Sequence, residues 1–275
     1  MAKSTSTRRT NAAILALLVL VSAAPGCKRD PRLLGESTEP IVDRSDGRIP
    51  ALTLKRVRDN AIEIDGMMNE PMWREAGTTG ALVHPANGHA EPSSHVNGAV
   101  RFLWSDVHLF VAAQVYDNDV QAPFARETVD PHLWERSSAV ELMLQPGDHG
   151  DNRHYYELQI DTVGARWETL FDDYNQPITQ GGDGQRLFGH QSWSTHMRTA
   201  ARVERGRRYV IEMAIPWRDF DAAGRANVPP HVGDVWRANV YSFRDGQRDS
   251  LAWSPILGQG NFHFAPRFGR LQFGP

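Results

Sequence analysis

Short runs of alternating, β-branched and aromatic residues recur along the chain, each closed by turn-forming residues. They occur at Ile62-Glu63-Ile64, Ala99 to Trp104, His108 to Tyr116, Ser138 to Leu144, His154 to Thr162 and Trp167 to Phe171. Further runs cover Thr195 to Val203, Arg208 to Ile215, Val235 to Phe243, Leu251 to Trp253 and Gly269 to Phe273. Asp, Gly, Asn and Pro fill the gaps, as at Trp104-Ser105-Asp106 and Gln145-Pro146-Gly147-Asp148, which is the punctuation of strands joined by tight turns. No long amphipathic helix separates the runs. The pattern predicts an all-β fold, a two-sheet antiparallel β-sandwich of the immunoglobulin or jelly-roll kind, rather than alternating βαβ layers. One short helix is expected after Asn69, which can cap it; Glu70 and Pro71 suit its first turn, and Trp73 would point inward. The Gly- and Gln-rich segment from Asn175 to Gly189 is expected to be a long loop.

The start of the chain follows a different pattern. Lys3, Arg8 and Arg9 precede an almost unbroken apolar run from Ala12 to Ala24. That run is too short to span a bilayer and has the flanks of a secretory leader. Ala24-Pro25-Gly26-Cys27 follows, and Cys27 is the only cysteine of the 275 residues. A lone cysteine cannot form a disulfide within the chain. Its place after the leader predicts lipidation, which would make Cys27 the anchored N-terminus of an exported protein; the plainer alternative is a stray cysteine in a processed leader. Several acyl chains on one cysteine hold a protein stably to a membrane. Lys28 carries no obvious signal for inner-membrane retention, so the expected location is the cell envelope at the outer membrane. From Lys28 to about Pro50 the sequence is rich in Pro, Gly, Ser and charge and reads as a tether. The expected organisation is a signal peptide over 1–26, a tether over 27–50 and a β-sandwich domain over 51–275.

Charge narrows the partners. Removing residues 1–26 leaves 27 basic against 33 acidic residues, a net charge of −6. No basic stripe remains that could follow a phosphate backbone, which argues against nucleic acid. Eleven histidines are scattered without paired metal-ligand spacing, so a zinc site is not expected, and His149 and His154 flank a turn. Asp117 and Asp119 could offer oxygens to a structural calcium, although without a full loop pattern a simple turn is the plainer reading.

Two features suggest a binding site. Glu141 sits inside the apolar run Ala139-Val140-Glu141-Leu142-Met143-Leu144, and an unpaired carboxylate is costly to bury. Strand alternation puts Glu141 and Met143 on one face and Val140 and Leu142 on the other; Gln159 and Asp161 likewise share a face. An amide and two carboxylates can read vicinal hydroxyls, or the face can simply be solvated. Trp134, in a loop-like segment after Asp130-Pro131, is either a flat stacking surface or a cover for the core.

The ordered set of blocks resembles the family 9 carbohydrate-binding modules of the DOMON-like superfamily, from about Ile62 to Phe273. Ile62-Glu63-Ile64-Asp65-Gly66 with Asn69-Glu70 and Trp73 matches the family's opening strand, turn and short helix. Val100 to Trp104, Leu109 to Ala112 and Val115-Tyr116-Asp117 match the following hairpin. Leu133-Trp134, Val140-Glu141-Leu142 and Tyr155 to Asp161 match the ligand-contacting blocks. Ile211-Glu212, Ile215-Pro216-Trp217, Gly233-Asp234, Trp236 to Asn239, Trp253-Ser254-Pro255 and Phe268-Gly269 complete the set.

The resemblance implies poly- or oligosaccharide binding without catalysis and without a cofactor, in support of polysaccharide degradation or uptake. It implies a site containing Trp134 as a stacking ring with Glu141, Gln159 and Asp161 as polar contacts. A second stacking ring falls at Phe262, beside His263, where the chain reads Phe262-His263-Phe264 rather than Trp. Two alternatives stay open. A glycoside hydrolase could use Glu141 and Asp161 as its carboxylate pair. A haem-binding relative could draw axial ligands from Met67, Met68, Met143 or His263, although no haem-attachment motif is present.

Overall fold

The computed structural model describes residues 42–90, 96–174, 189–244, 246 and 248–275. The leader, Cys27, the tether as far as Ile41 and all of the expected long loop except Gly189 lie outside the described residues.

The described chain is nearly all β. Its strands are β1 (Ala51–Arg56), β2 (Gly77–Thr78), β3 (Val96–Trp104), β4 (His108–Asp117), β5 (Ala139–Gln145) and β6 (Arg153–Asp161). They continue with β7 (Arg166–Asp173), β8 (Arg198–Glu204), β9 (Arg208–Pro216), β10 (Val235–Arg244), β11 (Arg248–Ala252) and β12 (Gly269–Phe273). One continuous path runs β7-β6-β5-β10-β12-β1-β3-β4-β9-β8, with β11 added beside β10 and β2 beside β3. The sheet curls so that one buried cluster takes Val140, Leu142, Leu158 and Ile160 from one half and Phe102, Val111, Ile211 and Met213 from the other. Each of these lies on the apolar side of an alternating strand, as period-two patterning requires.

β1 joins the halves. It pairs in parallel with β12, Ala51 opposite Arg270, and in parallel with β3, Lys55 opposite Leu103. The wholly antiparallel arrangement expected from the sequence is therefore broken at this one strand. The expected strand at Ile62-Glu63-Ile64 is absent: the segment is irregular and only Ile62 is deeply buried. Ile62 packs instead with Trp73, Leu103 and Phe110 in a small cluster on the outer side of β3 and β4. The expected helix after Asn69 is a single 3-10 turn over Pro71–Arg74, with Pro at its start and Trp73 2 % exposed. Among the described residues the one α-helix, α1 (Leu133–Arg136), is a single turn in a different place.

The tether ends sooner than its composition suggested. Arg44 is 9 % exposed, and its guanidinium donates to the carbonyls of Thr79 at 2.5 Å and Ala81 at 3.0 Å. The carbonyl of Gly47 accepts a bond from Arg267 at 2.6 Å. The stretch from Val42 to Pro50 is thus fastened to the domain by buried polar bonds, which a scan for apolar periodicity does not register.

Candidate functional site

The two faces of the β5–β6 pair differ in chemistry but not in burial. Every residue of β5 is buried. On the outer face, strand register lays Tyr241, Glu141, Gln159 and Trp167 side by side across β10, β5, β6 and β7. The adjacent row on that face is Asn239, Met143, Glu157 and Thr169. Two irregular segments cover these rows. One carries α1 and Trp134; the other runs from Trp253 to Phe268.

The second segment is held by β10. The Asn239 amide donates to the Ser254 carbonyl at 2.8 Å and its oxygen accepts from the Ser254 N–H at 2.9 Å. Tyr241 donates its hydroxyl to the Phe262 carbonyl at 3.1 Å, and the two rings stack at 3.9 Å with 3° between their planes. Phe262 is therefore fixed in position, with one face occupied by Tyr241. Trp134 stacks against His132 at 4.4 Å and meets Trp167 edge-on at 5.1 Å. His263 stacks on Tyr174 at 4.2 Å, and its Nδ1 shares a hydrogen bond with the hydroxyl of Tyr155 at 2.7 Å. Burial holds His263 neutral, pushing its pKa down to about 3.

Between these rings lies a cleft of about 280 Å³ lined by Trp134, Glu141, Glu157, Gln159, Trp167, Tyr174, Ile256, Gly260, Asn261, Phe262 and His263. Its floor is polar. The Gln159 Nε2 donates to Glu141 Oε2 at 2.9 Å and to Glu157 Oε1 at 2.6 Å. Glu141 Oε1, Glu157 Oε2 and Gln159 Oε1 are buried without a hydrogen-bond partner. Burial raises both carboxyls above their ordinary range, Glu157 to about 8, and at Glu141 the neighbouring Glu157 adds to the effect of burial. Unsatisfied buried acceptors are rare in native folds, and here they share a space with aromatic side chains. Flat apolar rings around bare acceptors suit a ring-shaped ligand with C–H faces and hydroxyl edges.

Of the six residues expected to contact ligand, Trp134, Glu141, Gln159, Phe262 and His263 line this one cleft. Asp161 does not. Its carboxylate accepts the backbone N–H groups of Val163 at 3.0 Å and Ala165 at 2.9 Å, closing the β6–β7 turn over Gly164, whose φ is +86°. Both of those bonds fall on Oδ1, and Oδ2 accepts the Ser137 hydroxyl at 3.3 Å, so Asp161 is engaged within the protein outside the cleft that Glu141 lines. Asp117 is equally occupied: it accepts from Ser138 at 2.9 Å and Arg244 at 3.2 Å, while one oxygen closes its own turn. Among the described residues no group of three or more His, Cys, Asp or Glu is arranged to hold a metal ion. Met143 is packed against Tyr155 and its neighbours in the outer cluster, whereas Met67 is 48 % exposed on the other half.

Glu157, Trp167, Tyr174 and Asn261 were missed from sequence. Alternation could have found Glu157, which precedes Gln159 by two residues and so shares its face. Trp167 lies opposite Gln159 in the ladder, a fact that needs the register. Asn261, which donates to the Tyr174 hydroxyl at 3.0 Å, lies in an irregular segment where no periodicity applies.

Comparison with known proteins agrees with this geometry. The family model described as "Carbohydrate family 9 binding domain-like" matches residues 64–273. A Bacteroides uniformis protein to which carbohydrate binding has been ascribed has a similar structure, with 18 % identity and a TM-score of 0.62 over 82 % of this chain and 100 % of that one. A family 9 carbohydrate-binding module from Caldicellulosiruptor kristjanssonii, in complex with cellotriose, matches with 14 % identity and a TM-score of 0.51 over 82 % of this chain and 93 % of that one. The module in complex with glucose matches with 14 % identity and a TM-score of 0.50 over 81 % and 95 %. No match was found among curated protein sequences. With the family model spanning most of the chain, including every residue that lines the cleft, the chain belongs to the carbohydrate family 9 binding domain-like family.

Proposed function

We propose that this protein binds an oligo- or polysaccharide in the cleft between Trp134 and Phe262, and releases it unchanged. The observation that carries the reading is the floor of the cleft: three buried acceptor atoms on Glu141, Glu157 and Gln159 without a protein partner, enclosed by aromatic side chains. The structural neighbours with cellotriose and glucose support a saccharide as the ligand class. Trp134 and Phe262 supply apolar area; Glu141, Glu157, Gln159 and His263 supply directional contacts. The sandwich architecture expected from sequence fits the curled sheet, with the cleft on the outer face of one half.

The test is calorimetric titration of the protein with a glycan panel that includes cellotriose and glucose. Saturable binding without release of reducing sugar is expected. Turnover that tracks the purified protein and disappears in Glu141→Gln would replace this reading with a hydrolase.

Lipid attachment at Cys27 and a place at the outer membrane belong to the same reading, since a surface anchor would keep bound glycan close to degrading enzymes or an uptake system. Cys27→Ala should then move the protein from the membrane fraction to the soluble fraction. Mass spectrometry showing an unmodified Cys27 would remove the anchor from the reading.

A further inference from the structure

Glu141 and Glu157 extend from neighbouring strands, one register step apart on the same face. They are 2 % and 3 % exposed and share one amide donor, Gln159 Nε2. The groups around them carry no compensating charge. From β10, Tyr241 has given its hydroxyl to the Phe262 carbonyl. From β6, Tyr155 bonds His263, and from the covering segment His263 stays neutral with Nε2 3.7 Å from Glu157 Oε2. Tyr174, at the end of β7, stacks on His263. None of the residues lining the cleft is Lys or Arg. Two buried carboxyls without a cation cannot both ionise cheaply.

We propose that Glu141 and Glu157 form a proton-linked charge selector: the cleft takes sugars that bring hydroxyl or amino hydrogens to its bare acceptors, refuses uronic and sulfated sugars, and expels a proton on binding. The inference rests on the carbohydrate reading above. Its physical basis is that an ionised carboxylate accepts a stronger hydrogen bond than a protonated one. Ligand hydroxyls that donate to Glu141 Oε1 and Glu157 Oε2 therefore favour the ionised pair. Linkage then requires that binding lower the proton affinity of the pair, the proton passing to buffer, and that affinity rise with pH. The rise approaches tenfold per pH unit wherever the free pair keeps a proton that the bound pair has lost. A carboxylate or sulfate on the sugar would instead bring a further negative charge, and no hydrogen to donate from it, to a cleft lined by no Lys or Arg.

The experiment uses the full chain and a panel of neutral, amino and uronic oligosaccharides: cellotriose, its fully amino counterpart from chitosan, and trigalacturonate. Each is titrated calorimetrically from pH 6 to 9 in two buffers of different ionisation enthalpy, which counts protons released. Infrared spectra of the ligand-free protein, read at the carbonyl stretch of a protonated carboxyl, follow the pair directly. We expect a protonated-carboxyl band at pH 7 that fades by pH 9 and is missing from Glu141→Gln/Glu157→Gln. We also expect net proton release with the sugars that bind, affinity rising with pH, and no binding of trigalacturonate. Trigalacturonate binding as tightly as the neutral trimer, affinity independent of pH, or a missing band in the wild-type protein overturns the selector and leaves carbohydrate binding standing. Failure of every saccharide to bind at any pH removes the carbohydrate reading itself.

Discussion

Two adjacent rows of β5 and β6 have nearly the same burial and opposite fates. Leu142 and Leu158 face each other on the inner side at 0 % and 1 % exposure; Glu141 and Gln159 face each other on the outer side at 2 % and 1 %. The leucines are complete: they need only contact, and the packed core gives it. The outer pair is incomplete, because burial removes water from Glu141 Oε1 and Gln159 Oε1 and no protein donor replaces it. The comparison separates two uses of a buried face. One stores stability, and the other stores an unmet demand for hydrogen bonds that a ligand can answer.

The sharpest way to break the comparison is to truncate both rows. Leu158→Ala should cost about 2–5 kcal/mol of folding stability, because it opens a cavity in a close-packed core. Gln159→Ala should cost much less stability and remove most sugar affinity. Urea denaturation and calorimetric titration of the two variants decide it. If both lose stability equally, the outer row is merely a second core.

Trp134 gives the next largest effect. Trp134→Ala is expected to weaken binding at least roughly thirtyfold, or ~2 kcal/mol, with an almost unchanged melting transition. The ring is partly buried at the margin of the outer cluster, between His132 and the edge of Trp167, so its loss should cost less than that of a fully enclosed ring. Trp236→Ala on the inner side should do the reverse, costing ~3–5 kcal/mol of stability. A Trp134→Ala protein that melts early yet still binds would place the site elsewhere.

pH sharpens the comparison further, since only the outer row titrates. Glu157 binds its proton more tightly folded than unfolded, its pKa rising from 4.5 to about 8. Its contribution to stability is thus complete below the unfolded value and declines as pH rises through about 8. His263 has the opposite sign: its folded pKa is about 3 against an ordinary 6.5, so its contribution is complete above 6.5 and declines as pH falls towards 3. Urea midpoints measured from pH 5 to 9 should fall on the alkaline side in the wild-type protein and fall less in Glu157→Gln. Identical slopes would mean that the carboxyl pair is not the source.

The smallest effects concern the second ring. Phe262→Ala should weaken binding less than Trp134→Ala, because the ring is smaller and one face already rests on Tyr241. Tyr241→Phe keeps that stack and removes the hydroxyl, which donates to the Phe262 carbonyl and accepts from the Asn239 amide at 2.7 Å, a loss of ~1 kcal/mol for each bond. Titration of both variants with the same sugar should rank them in that order.

Much of this was legible in sequence because strand period fixes faces. The run around Glu141 assigned Val140 and Leu142 to the core and Glu141 to the other side, and the structure agrees. Burial of that other side was not legible, because the covering segments are irregular and arrive from residues far along the chain. Asp161 shows the limit of face arguments: it lies on the same strand face as Gln159, yet its own turn engages one oxygen and Ser137 the other, away from the cleft. β1 was overlooked because Ala51-Leu52-Thr53-Leu54-Lys55-Arg56 follows directly on a stretch whose composition reads as linker. Its role comes from two parallel partners that no local pattern reveals.

That strand also sets the order in which the domain can be completed. Among the described residues β1 is the first strand in chain order, and its partner β12 is the last. Until Gly269 to Phe273 are available, one side of β1 has no ladder to join, and the two halves of the sheet lack their common seam. A contact so distant along the chain is slow to form, since loop closure precedes any reward. A domain seamed in this way stays open along the β1 edge until its final strand is laid down, so its two halves are joined by the last ladder to form rather than the first.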